Sequence, residues 1–283
     1  MSVSVNAYVI EGNRRSRTIC EAMLQGARRN GMRIKMISES AFTSACSDIA
    51  VFYGMSGRLP RVMKDYKKSG ATAVYIDLGY WGRRDGGRLA GYHKVSVNDR
   101  HPTAYFQSVR HPTDRLSKFR IKIKPWRRSG KQILIAGMSG KGAISQKFQP
   151  GEWESLAVED IKRYSKRPII FRPKPSCRYG IKIPGCPVSP ADQRIVDALH
   201  NCHAVVTHHS NAAVDAILEG IPAFAIRGVA TPLALDDLSK IEEPLYPDGR
   251  EQWAADIAYC QWNLNEMATG QVWRHLKSEG LIP

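Results

Sequence analysis

Three short polar stretches, each directly after an apolar run, combine residue types suited to holding phosphate oxygens. Gly137-Met138-Ser139-Gly140-Lys141-Gly142 follows Gln132 to Ala136 and offers close backbone approach, a hydroxyl and an ammonium group. Phe171-Arg172-Pro173-Lys174-Pro175 follows Ile169-Ile170, and its prolines hold Arg172 and Lys174 as a stiff cationic pair. Thr207-His208-His209-Ser210-Asn211 follows Ala204-Val205-Val206, with Ser210 or Asn211 placed to N-cap a helix whose apolar face is Ala213, Val214, Ile217 and Leu218. A helix start of this kind turns backbone N–H groups and a positive dipole end toward an anion. The first stretch is not a Walker A loop, because only two residues separate Gly137 from Gly140 where that motif needs four, and P-loop ATP hydrolysis is disfavoured. A fourth segment, Thr72 to Trp81, sets Asp77 at the end of an apolar run, where a carboxylate can take a proton from a hydroxyl. Asp85, Asp99 and His101 are the alternative bases, and Asp77 could equally cap the turn that follows it.

The elements that must position these residues alternate. Apolar periodicity predicts strands at Ser4 to Ile10, Met32 to Ile37, Ile49 to Tyr53 and Thr72 to Leu78, with helices near Thr18 to Asn30 and Pro60 to Ser69. Glu11 to Arg17 reads as a polar loop, Arg120 to Lys124 as a strand, and Tyr92 to Pro102 as a hairpin edge. After a break at Pro125, Ser129 and Gly130, strands at 132–136, 168–171, 204–206 and 223–226 alternate with helices near 152–164 and 211–219, and helices fill 249–279. Such alternation implies a parallel sheet with ligand loops at the carboxyl ends of the strands. The expected domains are 1–127, 128–250 and a C-terminal helical segment 251–283.

Composition places the chain among ordinary globular proteins, at 43% apolar and 24% charged residues. Its formal charge of +16 is uneven: residues 1–130 hold 25 Lys+Arg against 9 Asp+Glu, while 131–283 hold 17 of each, which favours a polyanionic partner for the first half. No apolar run approaches the roughly 18 residues of a membrane span, so no membrane insertion is expected. The N-terminus carries its apolar residues before its basic ones, and six scattered cysteines form no CxxC pair, which together suit a reduced, cytoplasmic chain. His200, Cys202, His203, His208 and His209 lie at opposite ends of an apolar strand, so no metal site is expected from them.

The ordered set of phosphate loops resembles the C-terminal, donor-binding domain of GT-B fold glycosyltransferases, in motif from Lys131 to Ile226 and in organisation over the whole chain. The resemblance implies an α/β fold of two Rossmann-like domains facing across a cleft, with the C-terminal helices packing back on the first. It implies a nucleotide-sugar co-substrate, a UDP-sugar first, and no metal or other required cofactor. Gly137, Ser139, Gly140, Lys141, Arg172, Lys174, Ser210 and Asn211 would then hold the diphosphate, Glu219 the ribose and His209 the sugar. His208-His209 stand where many such enzymes carry Gly-Gly. In that setting Asp77 is the expected general base.

The basic first half directs the acceptor. Tyr80, Trp81, Arg83, Arg84 and Arg88 combine arginines with aromatics suited to phosphates and an unstacked base, and Arg14, Arg15 and Arg17 after the first strand would flank the same side. In organisation the chain is similar to the DNA-modifying glycosyltransferases of bacteriophages, which implies hydroxymethylated duplex DNA as acceptor and the infected host's cytoplasm as location. Three other functions stay open: transfer to a polysaccharide or lipid-linked acceptor, nucleic-acid binding without catalysis, and nucleotide-sugar epimerisation.

Overall fold

The apolar runs Val5–Val9 and Ile133–Ala136 are buried along almost their whole length, and each becomes an inner strand covered on both faces. The computed structural model describes residues 2–83, 87, 89–174, 180–190 and 192–283. The chain divides into two compact units: Met1–Ala104 with Asp256–Pro283, and Tyr105–Ala255.

Unit 1 runs β1 (Ser4–Val9), α1 (Arg14–Arg29), β2 (Arg33–Ser38), β3 (Ile49–Tyr53), α2 (Leu59–Lys68), β4 (Thr72–Leu78) and β5 (His93–Val97), and α3 (Thr103–Gln107) carries the chain into unit 2. Its sheet has the order β10-β5-β4-β3-β1-β2, in which β1 to β4 are parallel, β5 runs antiparallel to β4, and β10 (Gln261–Trp262) pairs antiparallel with β5 at the edge. The C-terminal helices α10 (Leu264–Ala268) and α11 (Gln271–Ser278) pack on α1, where Met267, Val272 and Trp273 join Ile19 and Met23 in one core. Trp273 Nε1 donates to Met23 O at 2.8 Å. The opposite face is a second core of Tyr8, Phe52, Leu59 and Tyr66 under α2.

Unit 2 contains α4 (Asp114–Lys118), β6 (Gln132–Ala136), α5 (Gly140–Ser145), α6 (Glu152–Tyr164), β7 (Ile169–Arg172), α7 (Ile195–Ala198), β8 (Cys202–Thr207), α8 (Ala212–Leu218), β9 (Ala223–Ala225) and α9 (Arg250–Ala258), whose last residues return to unit 1. Among the described residues its sheet has four strands, all parallel, in the order β7-β6-β8-β9. In both sheets the first strand has its successors on opposite sides, which creates a switch point at β1/β3 and another at β6/β8.

Three local expectations change. Helix α1 begins at Arg14, not Thr18, because Asn13 caps it by accepting from Ser16 N at 3.0 Å. Arg14, Arg15 and Arg17 therefore sit in the first helical turn instead of a loop. Arg120 to Lys124 is not a strand: Arg120 adopts φ +51°, and the segment docks on the end of α8 through Lys124 N to Leu218 O and Arg127 N to Gly220 O, both 2.8 Å. Gly220 permits this approach, since a Cβ there would stand 2.0 Å from Pro125 O and its φ is +76°. Arg250 adds a bond to Lys124 O at 2.7 Å and stacks over Trp126. Residues 105–130 thus belong to unit 2, and the expected boundary at 127 moves to 104. The charge moves with them: unit 1 has 19 Lys+Arg against 11 Asp+Glu and unit 2 has 23 against 15, an equal excess.

Gly26 sits at a close helix contact, because a Cβ there would stand 2.0 Å from Met267 O. Gly26→Ala should push α10 from α1 and cost about 1–3 kcal/mol in urea unfolding; unchanged stability would mean that the two helices do not pack this closely.

Candidate active site

In unit 2 the ends of three strands are tied together by hydrogen bonds. Gly137 N donates to Arg172 O at 2.9 Å, joining β6 to β7. Thr207 Oγ1 donates to Ala136 O at 2.9 Å and accepts from Ser210 N at 3.2 Å, joining β6 to β8 and shaping the turn into α8. Ser139 caps α5 by accepting from Gly142 N at 3.1 Å, and Ser210 Oγ accepts from Ala212 N at 3.2 Å. A Cβ at Gly142 would stand 3.1 Å from Ser139 Oγ and 3.6 Å from His209 Nε2, so the two loops approach closely. Gly137, Ser139, Gly140, Gly142, His209, Ser210 and Asn211 thus gather at the β6/β8 switch point. Lys141 is exposed on α5, and Lys174 is exposed beyond β7.

Arg172 differs from its expected role as an open phosphate ligand. Its side chain is only 8% exposed, and its Nη2 donates to Gln193 O at 2.8 Å. Burial pulls the guanidinium below its ordinary range, and Asp215 on α8 pulls it back. Glu219 caps the far end of α8 and is bridged to Lys124 Nζ at 2.5 Å, away from the loops at the helix start. Asp215, one turn into α8, was not among the sequence candidates.

The histidine pair replaces a flexible turn with a packed one. His208 is buried, its ring edge-on to Trp153 at 5.5 Å and to His209 at 5.1 Å, and its Nδ1 shares a 2.9 Å hydrogen bond with His209 Nδ1. Burial and then Arg227 lower its pKa, which favours the neutral ring. Behind the glycine loop lies a residue that sequence reading missed. Glu154 of α6 is fully buried, its Oε1 accepts from Met138 N at 2.7 Å, and its Oε2 has no hydrogen-bond partner among the described residues. The available signal was an acid on the helix face of Ala157, Val158 and Ile161.

In unit 1, Asp77 lies at the end of β4, half-buried. Its Oδ2 accepts from Tyr75 Oη at 2.7 Å and its Oδ1 from Leu78 N at 2.8 Å, which leaves each oxygen with further acceptor capacity. Burial and then Asp77 raise the Tyr75 phenol, so it stays a proton donor. Across the sheet His93 pairs with Leu78 in register, packs edge-on to Tyr53 at 6.0 Å, and is 1% exposed. Among the described residues neither of its ring nitrogens makes a well-formed hydrogen bond, and the Gly91 backbone is only a weak contact. Arg15 Nη1 donates to Tyr53 Oη at 3.3 Å. Arg15, Tyr53, Tyr75, His93 and Asp77 thus form one cluster at the carboxyl ends of β1, β3 and β4. His93 was legible only as a polar residue alternating with Val95 and Val97.

The basic loop is corrected by its burial. Tyr80 and Trp81 are core residues whose backbone N–H groups donate to Gln261 Oε1 at 2.9 and 3.4 Å, and they present no open ring face to a base. Arg83 folds back on Tyr80 O at 2.6 Å, while Arg84, Asp85 and Arg88 lie outside the described residues. Arg14 is exposed, and Arg17 sits 3.9 Å from Glu21. Asp99 is exposed and accepts from Arg100 N at 2.5 Å; His101 is half-buried. No helix is long and apolar enough to cross a membrane among the described residues.

No protein-family model matches the sequence, and no curated protein matches it either. Among solved structures, Thermosulfurimonas dismutans KpsC, beta Kdo 2,4 transferase, is similar with a TM-score of 0.53 at 10% identity, over 91% of this chain and 92% of that one. The fold is of the GT-B type. Two further structures resemble it less. The beta Kdo 2,7 transferase of the same KpsC has a TM-score of 0.46 at 11% identity over 96% and 99% of the chains. Methanocaldococcus jannaschii UDP-GlcNAc 2-epimerase has a TM-score of 0.34 at 10% identity over 98% and 100%.

His93 supplies a pH test of the unit 1 cluster. Burial and then Arg15 push its pKa from the usual 6.5 down to about 4, against the pull of Asp77. The unfolded chain therefore takes up the proton first. Stability should be full above pH 6.5 and fall by about 3 kcal/mol as pH drops to 4. His93→Phe should remove that part of the acid limb in urea unfolding; an identical pH profile in the variant would show that His93 titrates normally.

Proposed function

We propose that this chain is a glycosyltransferase that takes a sugar from a nucleotide-diphosphate donor and passes it to an acceptor hydroxyl. The observation that carries the reading is the gathering of Ser139, Gly142, His209 and Ser210 at the carboxyl ends of β6 and β8, the switch point of the sheet, where open α/β sheets bind ligands. The donor diphosphate sits there in this reading, met by loop backbone, by the Ser139 and Ser210 neighbourhood, and by Lys141. Arg172 acts from behind, holding Gln193 and facing Asp215, as a positioning residue for β7 and α8. UDP is the nucleotide that the resemblance to GT-B enzymes implies first. Asp77 is the general base, its carboxylate oriented by Tyr75 and the Leu78 amide, and it takes the acceptor's proton as the diphosphate leaves.

For the acceptor, the net charge of +16 supports a polyanion. An anionic glycan is the preferred class, in keeping with the Kdo transferase whose fold the chain shares. Hydroxymethylated duplex DNA is the second reading. A basic acceptor domain beside a neutral donor domain no longer speaks for it, because the excess is equal in the two units, and its support is the total charge, which an anionic glycan meets as well.

Incubation with nucleotide sugars plus either anionic oligosaccharides or hydroxymethylated DNA, read by mass spectrometry, separates these acceptors by which one gains a sugar mass. Lys141→Ala should weaken donor binding about tenfold in calorimetry without shifting the melting temperature, as expected for one charge-assisted contact on an exposed residue. Asp77→Asn should lower kcat by about 100-fold or more with donor Kd unchanged. Full turnover in Asp77→Asn would remove it as base, and unaltered donor affinity in Lys141→Ala would move the donor away from these loops.

A further inference from the structure

Beside the loops at the switch point, unit 2 carries a half-open pocket of about 410 Å³ between one face of α6 and the ends of β8 and β9. Leu156 and Ile226 form its mouth, at 52% and 42% exposure, and Phe224 and Leu238 line it deeper. Two exposed aliphatic side chains beside one pocket give it an apolar rim. The polar lining is acidic: Glu159 and Asp160 come from α6, and Asp236 from the segment after β9. Arg163, the cation among the described lining residues, is drawn to Asp160 at 3.5 Å, and the Thr207 hydroxyl spends its proton on Ala136 O. The cavity therefore offers acceptors to its occupant, in a chain whose surface charge is otherwise strongly positive. Carboxylates would repel a phosphate or an acidic sugar here and hold a neutral group with N–H donors on its edge. Trp153 of the wall touches His208, and His208 touches His209 beside Gly142, so the cavity lies two rings from the loops at the switch point.

We propose that this cavity receives the nucleobase of the donor and, against the uracil that the resemblance implies, selects a base with N–H donors, guanine first. The inference rests on the donor reading above. Guanine sets N1–H and its amino group side by side, matching the two oxygens of one carboxylate, whereas uracil flanks its single N–H with carbonyls that the acids repel. Leu156 and Ile226 at the opening offer apolar contact to a planar base.

Calorimetry with GDP, CDP, ADP and UDP tests it. GDP should bind roughly 10- to 100-fold more tightly than UDP, the discrimination of one bidentate contact. The double variant Asp160→Asn with Asp236→Asn, first checked for an unchanged melting temperature, should collapse that ratio toward one. Equal binding of all four nucleotides, or preference for UDP, overturns base selection and leaves the donor site standing. A guanine preference that survives in the double variant places selection elsewhere and also overturns it. Failure of every nucleotide to bind removes the donor reading itself, and this proposal with it.

Discussion

One hydroxyl joins the two strands on which the candidate site of unit 2 is built. Thr207 Oγ1 donates to the last carbonyl of β6 and accepts the amide that opens the turn into α8, so a single buried side chain ties the end of β6 to that turn beyond the backbone ladder of the two strands. Removing it would leave a buried carbonyl and an amide without their partner, at a cost of about 1–3 kcal/mol each. The surrounding groups extend the same tie: Gly137 N reaches β7, and Glu154 holds the next amide, Met138 N. A Cβ at Gly137 would meet the Phe171 ring at 2.8 Å, so glycine is required there by packing as well as by any ligand. The loops that can meet a phosphate are thus held by bonds that do not themselves face one.

Much of this frame was legible in the sequence because apolar runs declare buried strands. The parallel strands of both units, helices α2 and α6, and the C-terminal helices on α1 follow from periodicity and from the resemblance to GT-B enzymes. The first turn of α1 escaped because periodicity sees only where apolar residues begin, at Ile19, while Asn13 starts the helix by a polar bond. Arg120 to Lys124 alternates like a strand, yet its backbone partners are helix-end carbonyls that no local pattern reveals. Tyr80 and Trp81 were misread for a related reason: composition cannot tell an aromatic that covers Gln261 from one that awaits a base.

The chemistry was legible as loops and less so as partners. Gly137 to Gly142 and His209 to Asn211 converge, but Arg172 turns inward and Glu219 sits at the wrong end of its helix. Asp77 is oriented by Tyr75, two residues away, while Tyr53, His93 and Arg15 reach its neighbourhood only through sheet order. Long-range juxtaposition of this kind depends on which strands pair, and that is settled by the whole core.

Unit 1 is discontinuous, and this shapes how the protein can come into being. A ribosome delivers β1 to β5 long before Trp273 and Met267, the residues that close the core over α1. Until then the face of α1 carrying Ile19 and Met23 lacks its cover, while the residues of unit 2 are already complete by Ala255. The unit that begins first is therefore completed after the second, and the nascent chain carries an uncovered apolar helix face until α10 and α11 emerge.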